Sequence, residues 1–221
     1  MTKEKENEKA ETRSGLLHGC ALPARPRERI VATAQEMFHR HGIRGVGVDA
    51  IAEAAGTNKM TLYRHFGSKD DLIIEYLNRV ADEAEEMWVD VRAAHPDDSP
   101  AQLRDWILQA AECVAGDDRG CDLANAAVEL DVGHRALQVI EDFKIRQRNR
   151  LAELCRAAGA DQPDLLADAL FLLIEGARVS RRSVGAEGPS ASFVRMCEAI
   201  AKSFGVPLPR GASRYVSAEA H

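Results

Sequence analysis

Apolar residues return every three or four positions along most of the chain, the spacing of one helix face rather than of a strand. Ile30, Ala34, Met37 and Phe38 mark a first helix that begins near Arg27 and is stopped by Gly42. Two short elements follow, residues 48–55 and about 59–66. Gly56-Thr57-Asn58 lies between them, with Asn58 placed to cap the second. Gly67-Ser68 breaks the chain again. Ser68 then caps a long helix with Asp70 and Asp71 in its first turn, where the helix dipole favours negative charge. That helix carries Leu72, Ile73, Tyr76, Leu77, Val80, Ala84, Met87 and Val91, and stops before Pro96.

The same periodicity continues to the end of the chain. Residues 99–115 place Leu103, Trp106, Ile107 and Ala110 on one face, and a shorter helix covers about 121–130. Residues 134–158 carry the stripe Leu137, Ile140, Phe143, Gln147, Leu151, Leu154 and Ala158, ended by Gly159. Pro163, suited to a first turn, opens residues 163–183, and about 190–204 form a last helix. No segment alternates as a strand would. The expectation is an all-α chain: a disordered tail (1–23), a three-helix N-terminal helix-turn-helix domain (24–70), a helical ligand-binding and dimerisation bundle (71–207), and a C-terminal tail (208–221).

Composition narrows the classes. Aromatic residues make up only 5% of the 221, which fits helices better than sheets. Cys20, Cys113, Cys121, Cys155 and Cys197 are odd in number and lack CxxC or Cys/His metal spacing. A disulfide scaffold is therefore not expected, no metal or cofactor is assigned, and the natural setting is a reducing cytoplasm. The charged start, MTKEKENEKAETRS, has no hydrophobic stretch behind it and does not read as a signal peptide. The longest apolar run, residues 169–174, is far too short to span a bilayer, so no membrane partner is expected. Catalytic signatures such as GxSxG, GxGxxG or a P-loop do not occur, and the histidines do not cluster, so no enzyme is expected.

Residues 48–66 carry the functional signal. Two helices of about two turns joined by a tight Gly-x-Asn turn form a helix-turn-helix arrangement. Ile51, Ala52 and Ala55 form the inner face of the first, while Leu62 and Phe66 anchor the second. Lys59, Met60, Thr61, Tyr63, Arg64 and His65 remain on or near its outer face, and they include side chains that reach phosphates and base edges. Charge agrees in direction: residues 1–80 carry 13 Lys and Arg against 11 Asp and Glu, the rest 16 against 24.

The stretch VDAIAEAAGTNKMTLYRHFGSKDDLI resembles the DNA-binding signature of the TetR family of tetracycline-repressor-like regulators, and RIVATAQEMFHRHGIRG resembles that family's first helix. The resemblance covers less than a quarter of the chain. Gly47 stands where the family usually has Ser or Thr capping the second helix, Ile43 replaces a common aromatic, and Thr57 replaces the usual valine. What the resemblance implies is a homodimeric transcription regulator, usually a repressor, that binds a double-stranded DNA operator and is released by a small-molecule effector. By position it implies that Thr61, Tyr63 and Lys69 grip the phosphate backbone, and that Lys59 and Met60 lie near base edges with Arg64 and His65 beside them. GCDLANAAVELDVGHRAL also resembles a segment of some ligand domains of that family.

Other features have two readings each. Trp88 and Trp106 are either core filler or, with Phe143 and Gln147, the wall of an effector pocket beside the long fourth helix. Gln147, polar within an apolar stripe, needs a partner from a ligand, a water or a neighbouring helix. Glu175 and Arg178 fit an intrahelical ion pair or a pocket or dimer contact. Cys113 and Cys121 are either small, buried, inert thiols or a redox or metal sensor. Residues 169–174, apolar nearly all round, need cover on two sides. With Ala169, Leu173, Gly176, Phe193, Cys197, Ile200 and Phe204 they are assigned to a dimer seam built from the last two long helices. Two rival functions stay open: a helical ligand-binding protein or enzyme, and a non-specific nucleoid-type DNA binder. The acidic body argues against the second.

Overall fold

The computed structural model describes residues 25–116 and 119–209. The expected tail at 1–23, with Cys20, lies outside the described residues, as does all of the C-terminal tail beyond residue 209. Within them the chain is helical throughout: α1 (Pro26–His41), α2 (Val48–Ala54), α3 (Lys59–Phe66), α4 (Lys69–Ala94), α5 (Ser99–Gly116), α6 (Asp122–Glu129), α7 (Ala136–Ala157), α8 (Pro163–Val184) and α9 (Phe193–Ser203). A 3₁₀ turn at Pro189–Ser192 precedes α9, so the last helix starts three residues later than its pattern predicts. None of the described helices is long and apolar enough to cross a membrane.

The boundaries follow from local chemistry. Pro26 occupies the first turn of α1, and the Glu28 carboxylate accepts the Arg25 N–H at 3.1 Å. Asn58 caps α3 by accepting the Thr61 N–H at 2.9 Å. The Ser68 hydroxyl caps α4 by accepting the Asp71 N–H at 3.0 Å. Between α2 and α3, Thr57 N–H reaches back to Ala52 O at 2.9 Å, the six-to-one bond of a left-handed helix stop, with Gly56 at φ +63. Gly47, at the start of α2, offers no side-chain cap.

The buried residues form two clusters. The first gathers Ile30, Ala34 and Phe38 of α1, Ile51 of α2, Leu62 and Phe66 of α3, and Leu72 to Ala81 of α4; it also takes in Leu123 and Ala126 of α6 and Ala136, Ile140 and Phe143 of α7. The second joins Trp88 and Val91 of α4 to α5, the end of α7, α8 and α9. Both α4 and α7 run through the two clusters, so the N-terminal three-helix unit shares its core with the body. Burial along α4 thins between Ala81 and Trp88, and a cavity opens there.

Polar contacts from α6 add to that connection. Asp122 accepts from His39 of α1 at 2.7 Å and also holds the Tyr76 hydroxyl, whose proton is bound far more tightly than usual because the ring is buried. At the other end of α6, Glu129 accepts the Arg44 N–H at 3.0 Å and lies against Gly42. Gly42 has φ +78, a conformation that favours glycine, and a Cβ there would stand 2.6 Å from the Glu129 carboxylate, which would have to swing aside.

Candidate functional site

Leu62 and Phe66 are buried, and they lock α3 against α2 and α4. The opposite face of α3 is open. Lys59, Met60, Tyr63, Arg64 and His65 are exposed, Met60 to 80%, and Thr61 is half-buried at the cap. Met60 stands there among cations and hydroxyls. Lys59 Nζ rests on the Asp49 carboxylate of α2 at 2.9 Å, which holds its proton above the ordinary lysine range. Arg29 Nε donates to Ala55 O at 3.2 Å, tying α1 to the end of α2.

Lys69 is placed differently from what the family resemblance implies. Its ammonium donates to Ile43 O at 2.7 Å and lies 5.9 Å from the Phe38 ring centroid. Partial burial lowers its pKa. The side chain holds down the loop that leads into α2 instead of projecting with the α3 residues, because Ile43 O comes within reach of the first turn of α4.

A cavity of about 190 Å³ lies among α4, α5, α7 and α8. Three of the four residues assigned to an effector pocket, Trp106, Phe143 and Gln147, line it. Trp88 does not: it stands one layer back, stacked on Trp106 with centroids 6.1 Å apart. Gln147 has its partners in the protein. Its Oε1 accepts from Trp88 Nε1, and its Nε2 donates to Glu85 Oε1 at 3.2 Å, with Arg150 on the same carboxylate. The sequence leaves the partner of Gln147 open; it is α4.

The polar end of the cavity is the part that sequence reasoning misses. Lys144 of α7 bonds both oxygens of Glu175 of α8 at 2.7 and 2.8 Å, and Arg178 reaches the same carboxylate at 3.4 Å. The Glu175–Arg178 pair is therefore present but secondary to a contact 31 residues away in sequence. Phe171, Ile174, Met87 and Glu83 also line the cavity. Cys113 lies on the cavity and is exposed overall. Cys121 Sγ lies 3.7 Å from Lys144 Nζ. The described residues contain no His/Cys/Asp/Glu group able to hold a metal ion.

The seam residues divide. Phe193 and Cys197 are covered by their own chain, since the α9 stripe faces the second core cluster, and they are removed from the interface assignment. Ala169, Leu173, Ile200 and Phe204 are half-buried, and Gly176 is exposed. The large apolar side chains presented to solvent on α8 are Leu165, Leu172 (70%), Val179 (68%) and Val184, with Met196 on α9.

Comparison with known proteins places this arrangement. Residues 30–76 match the family described as bacterial regulatory proteins, tetR family. The chain is 30% identical over 200 residues to the transcriptional regulator AcuR of Cereibacter sphaeroides, covering 83% of this chain and 88% of that protein. It is 42% identical over 86 residues to the regulatory protein RaaS of Mycobacterium tuberculosis, a match spanning only 36% of the latter's length. Among solved structures, SCO4454 of Streptomyces coelicolor, a TetR-family transcriptional regulator, superposes with a TM-score of 0.73 at 25% identity, over 81% of this chain and 95% of that one. With α1–α3 forming the helix-turn-helix unit that these regulators share and the helical body behind it, the chain belongs to the TetR family of transcriptional regulators.

Proposed function

We propose that the protein is a homodimeric repressor that holds a pseudo-palindromic operator through two copies of α3 and lets go when a small molecule enters the cavity between α4 and α8. The observation that carries this reading is the split of α3 into a buried anchor, Leu62 and Phe66, and an open face of Lys59, Met60, Thr61, Tyr63, Arg64 and His65. In this reading Tyr63 and Thr61 position the helix on phosphates, and Lys59, Met60, Arg64 and His65 lie toward the major groove. Asp49 keeps Lys59 oriented until a phosphate or base edge competes for it. Lys69 acts indirectly, by fixing the loop before α2.

One helix-turn-helix reads only a few base pairs, so a second copy on a two-fold axis supplies the rest. Leu172, Gly176 and Val179 follow one another at helical spacing on the outer face of α8, and they support a seam of α8 and α9 from each subunit. A domain reading follows: a DNA-binding unit over 24–70 and an effector and dimer unit over 71–207, in the cytoplasm.

Selection of the full-length protein against a random duplex library tests the proposal. The expected product is a two-fold-symmetric consensus that is bound far more tightly than scrambled competitor and whose affinity falls in Met60→Ala and Lys59→Ala with altered base preference. Recovery of no consensus, with binding that tracks only salt, would refute it.

A further inference from the structure

Resting on the reading of the α4–α8 cavity as the effector site, we infer that the cavity takes a small monocarboxylate carrying a single flat apolar ring. Its carboxylate lies on the indole N–H of Trp106 and the guanidinium of Arg178.

Size comes first. An engineered cavity of about 150 Å³ with apolar walls holds benzene. At about 190 Å³ this one has room for a ring and one small polar group, and little more. The walls fit such a ring: Met87, Trp106, Phe143, Phe171 and Ile174 offer apolar and aromatic surface.

The hydrogen-bond inventory then fixes the polar group. Acceptors around the cavity are already engaged. Gln147 Oε1 is taken by Trp88, both Glu175 oxygens by Lys144, and both Glu83 oxygens by Gln35. What is left over is donors. Trp106 is 96% buried, given its 4% exposure, and its Nε1 has no partner among the described residues. A buried indole N–H without an acceptor is uncommon and calls for one. Arg178 spends one N–H on a long 3.4 Å contact to Glu175, and its other donors have no partner among the described residues. A ligand that completes this site brings acceptors, and a carboxylate matches the guanidinium fork.

Charge gives the same answer independently. Glu83 is met by Arg79 at 3.2 Å, outside the cavity lining. Lys144 and Arg178 face the single carboxylate of Glu175, which leaves one positive charge unmatched. One negative charge on the ligand balances it. A cationic ligand has to compete with Lys144 for Glu175, and a neutral one leaves the excess in place.

The test compares benzoate, benzamide and benzylamine, which share a ring and differ in charge, against the full-length, DNA-free protein by calorimetry and tryptophan fluorescence. Benzoate is expected to bind about tenfold more tightly than benzamide, with benzylamine weaker still. Arg178→Met is expected to cost benzoate about tenfold and leave benzamide unchanged; Trp106→Phe, which keeps a ring and removes the N–H, about fivefold. The two variants report separately, so a folding defect in one, seen in its melt, leaves the other decisive. Benzamide or benzylamine binding as tightly as benzoate overturns the inference. So does benzoate affinity that neither variant changes, or no binding of any of the three up to about 10 mM. Adding operator DNA separates this inference from the reading beneath it. Benzoate that binds as described without releasing the operator defeats the effector reading and leaves the ligand class standing. Release by benzylamine alone does the reverse.

Discussion

Replacing Lys69 by Ala removes a clamp whose strength can be worked from its two contacts. The ammonium–carbonyl bond to Ile43 is 2.7 Å long, and hydrogen bonds to a charged group contribute about 1.5–3 kcal/mol. Lys69 is only half-buried, which places the bond at the lower end. The Phe38 ring, 5.9 Å away, lies at the limit of useful cation–π range and adds at most about 0.5 kcal/mol. The total is about 1.5–2 kcal/mol, which for a chain of this size lowers Tm by about 3–8 °C. Because the loop from Gly42 to Gly47 leads directly into α2, operator affinity falls as well. The salt dependence distinguishes a clamp from a phosphate ligand. An ammonium already satisfied by Ile43 releases no counterion on docking, so the slope of log K against log salt is expected to match the wild type. Were Lys69 instead bound to a phosphate, its removal would reduce that slope by about 0.9. The assay is thermal unfolding by circular dichroism together with fluorescence anisotropy on a labelled operator across a salt series. An unchanged Tm with a slope shallower by about one refutes the clamp.

Four further outcomes are expected. Gly47→Ser meets open space at φ −89 and supplies the missing cap of α2, so urea unfolding is expected to show a gain of a few tenths of a kcal/mol, about 0.3; a loss contradicts the capping argument. Gly56→Ala forces a side chain into φ +63 and is expected to cost about 1–2 kcal/mol in the same measurement, along with operator affinity. Burial pushes the thiols of Cys155 and Cys197 up to about 12, so at pH 8 only about one in ten thousand is thiolate; among the described cysteines a thiol reagent is expected to modify exposed Cys113 first and to reach those two only on unfolding. The same shift makes stability fall as pH rises above about 9, where the unfolded chain loses thiol protons that the folded one keeps. Leu172→Glu sits on solvent-exposed α8 surface, so helix content by circular dichroism is expected to hold while sedimentation shows monomers; an intact dimer moves the seam elsewhere.

Much of this architecture is readable from residues that act locally. Asn58 and Gly67 bracket α3, Ser68 opens α4 and Pro163 opens α8, and each does so through its own backbone or side-chain chemistry. The α3 face is readable for the same reason, since Leu62 and Phe66 define the inside and their neighbours the outside. What escapes is any relation between distant elements. Nothing in the spacing of Lys144 and Glu175 announces that they meet, and Lys69 finds Ile43 only after α1 and α4 have packed. The α9 stripe misleads for a physical reason. A helix with apolar residues on one side turns that side to its own core, so Phe193 and Cys197 are where periodicity is strongest and an interface is least available. On α8, apolar nearly all round, periodicity cannot separate core from seam, and burial does: Leu170 and Ile174 go inward while Leu172 stays out.

The first core cluster sets a limit on modularity. An engineer wishing to graft this DNA reader onto another sensor would cut near residue 70, where the motif ends. The cut discards Leu123, Ile140 and Phe143, which close the underside of α1 and α4. Burying three such side chains contributes roughly 5–9 kcal/mol, comparable to the whole stability of many domains. A transplant confined to α1–α3 therefore arrives with its floor missing, while one that carries α4, α6 and the first half of α7 brings the floor along. The portable unit is discontinuous in sequence, assembled from two stretches of chain separated by α5.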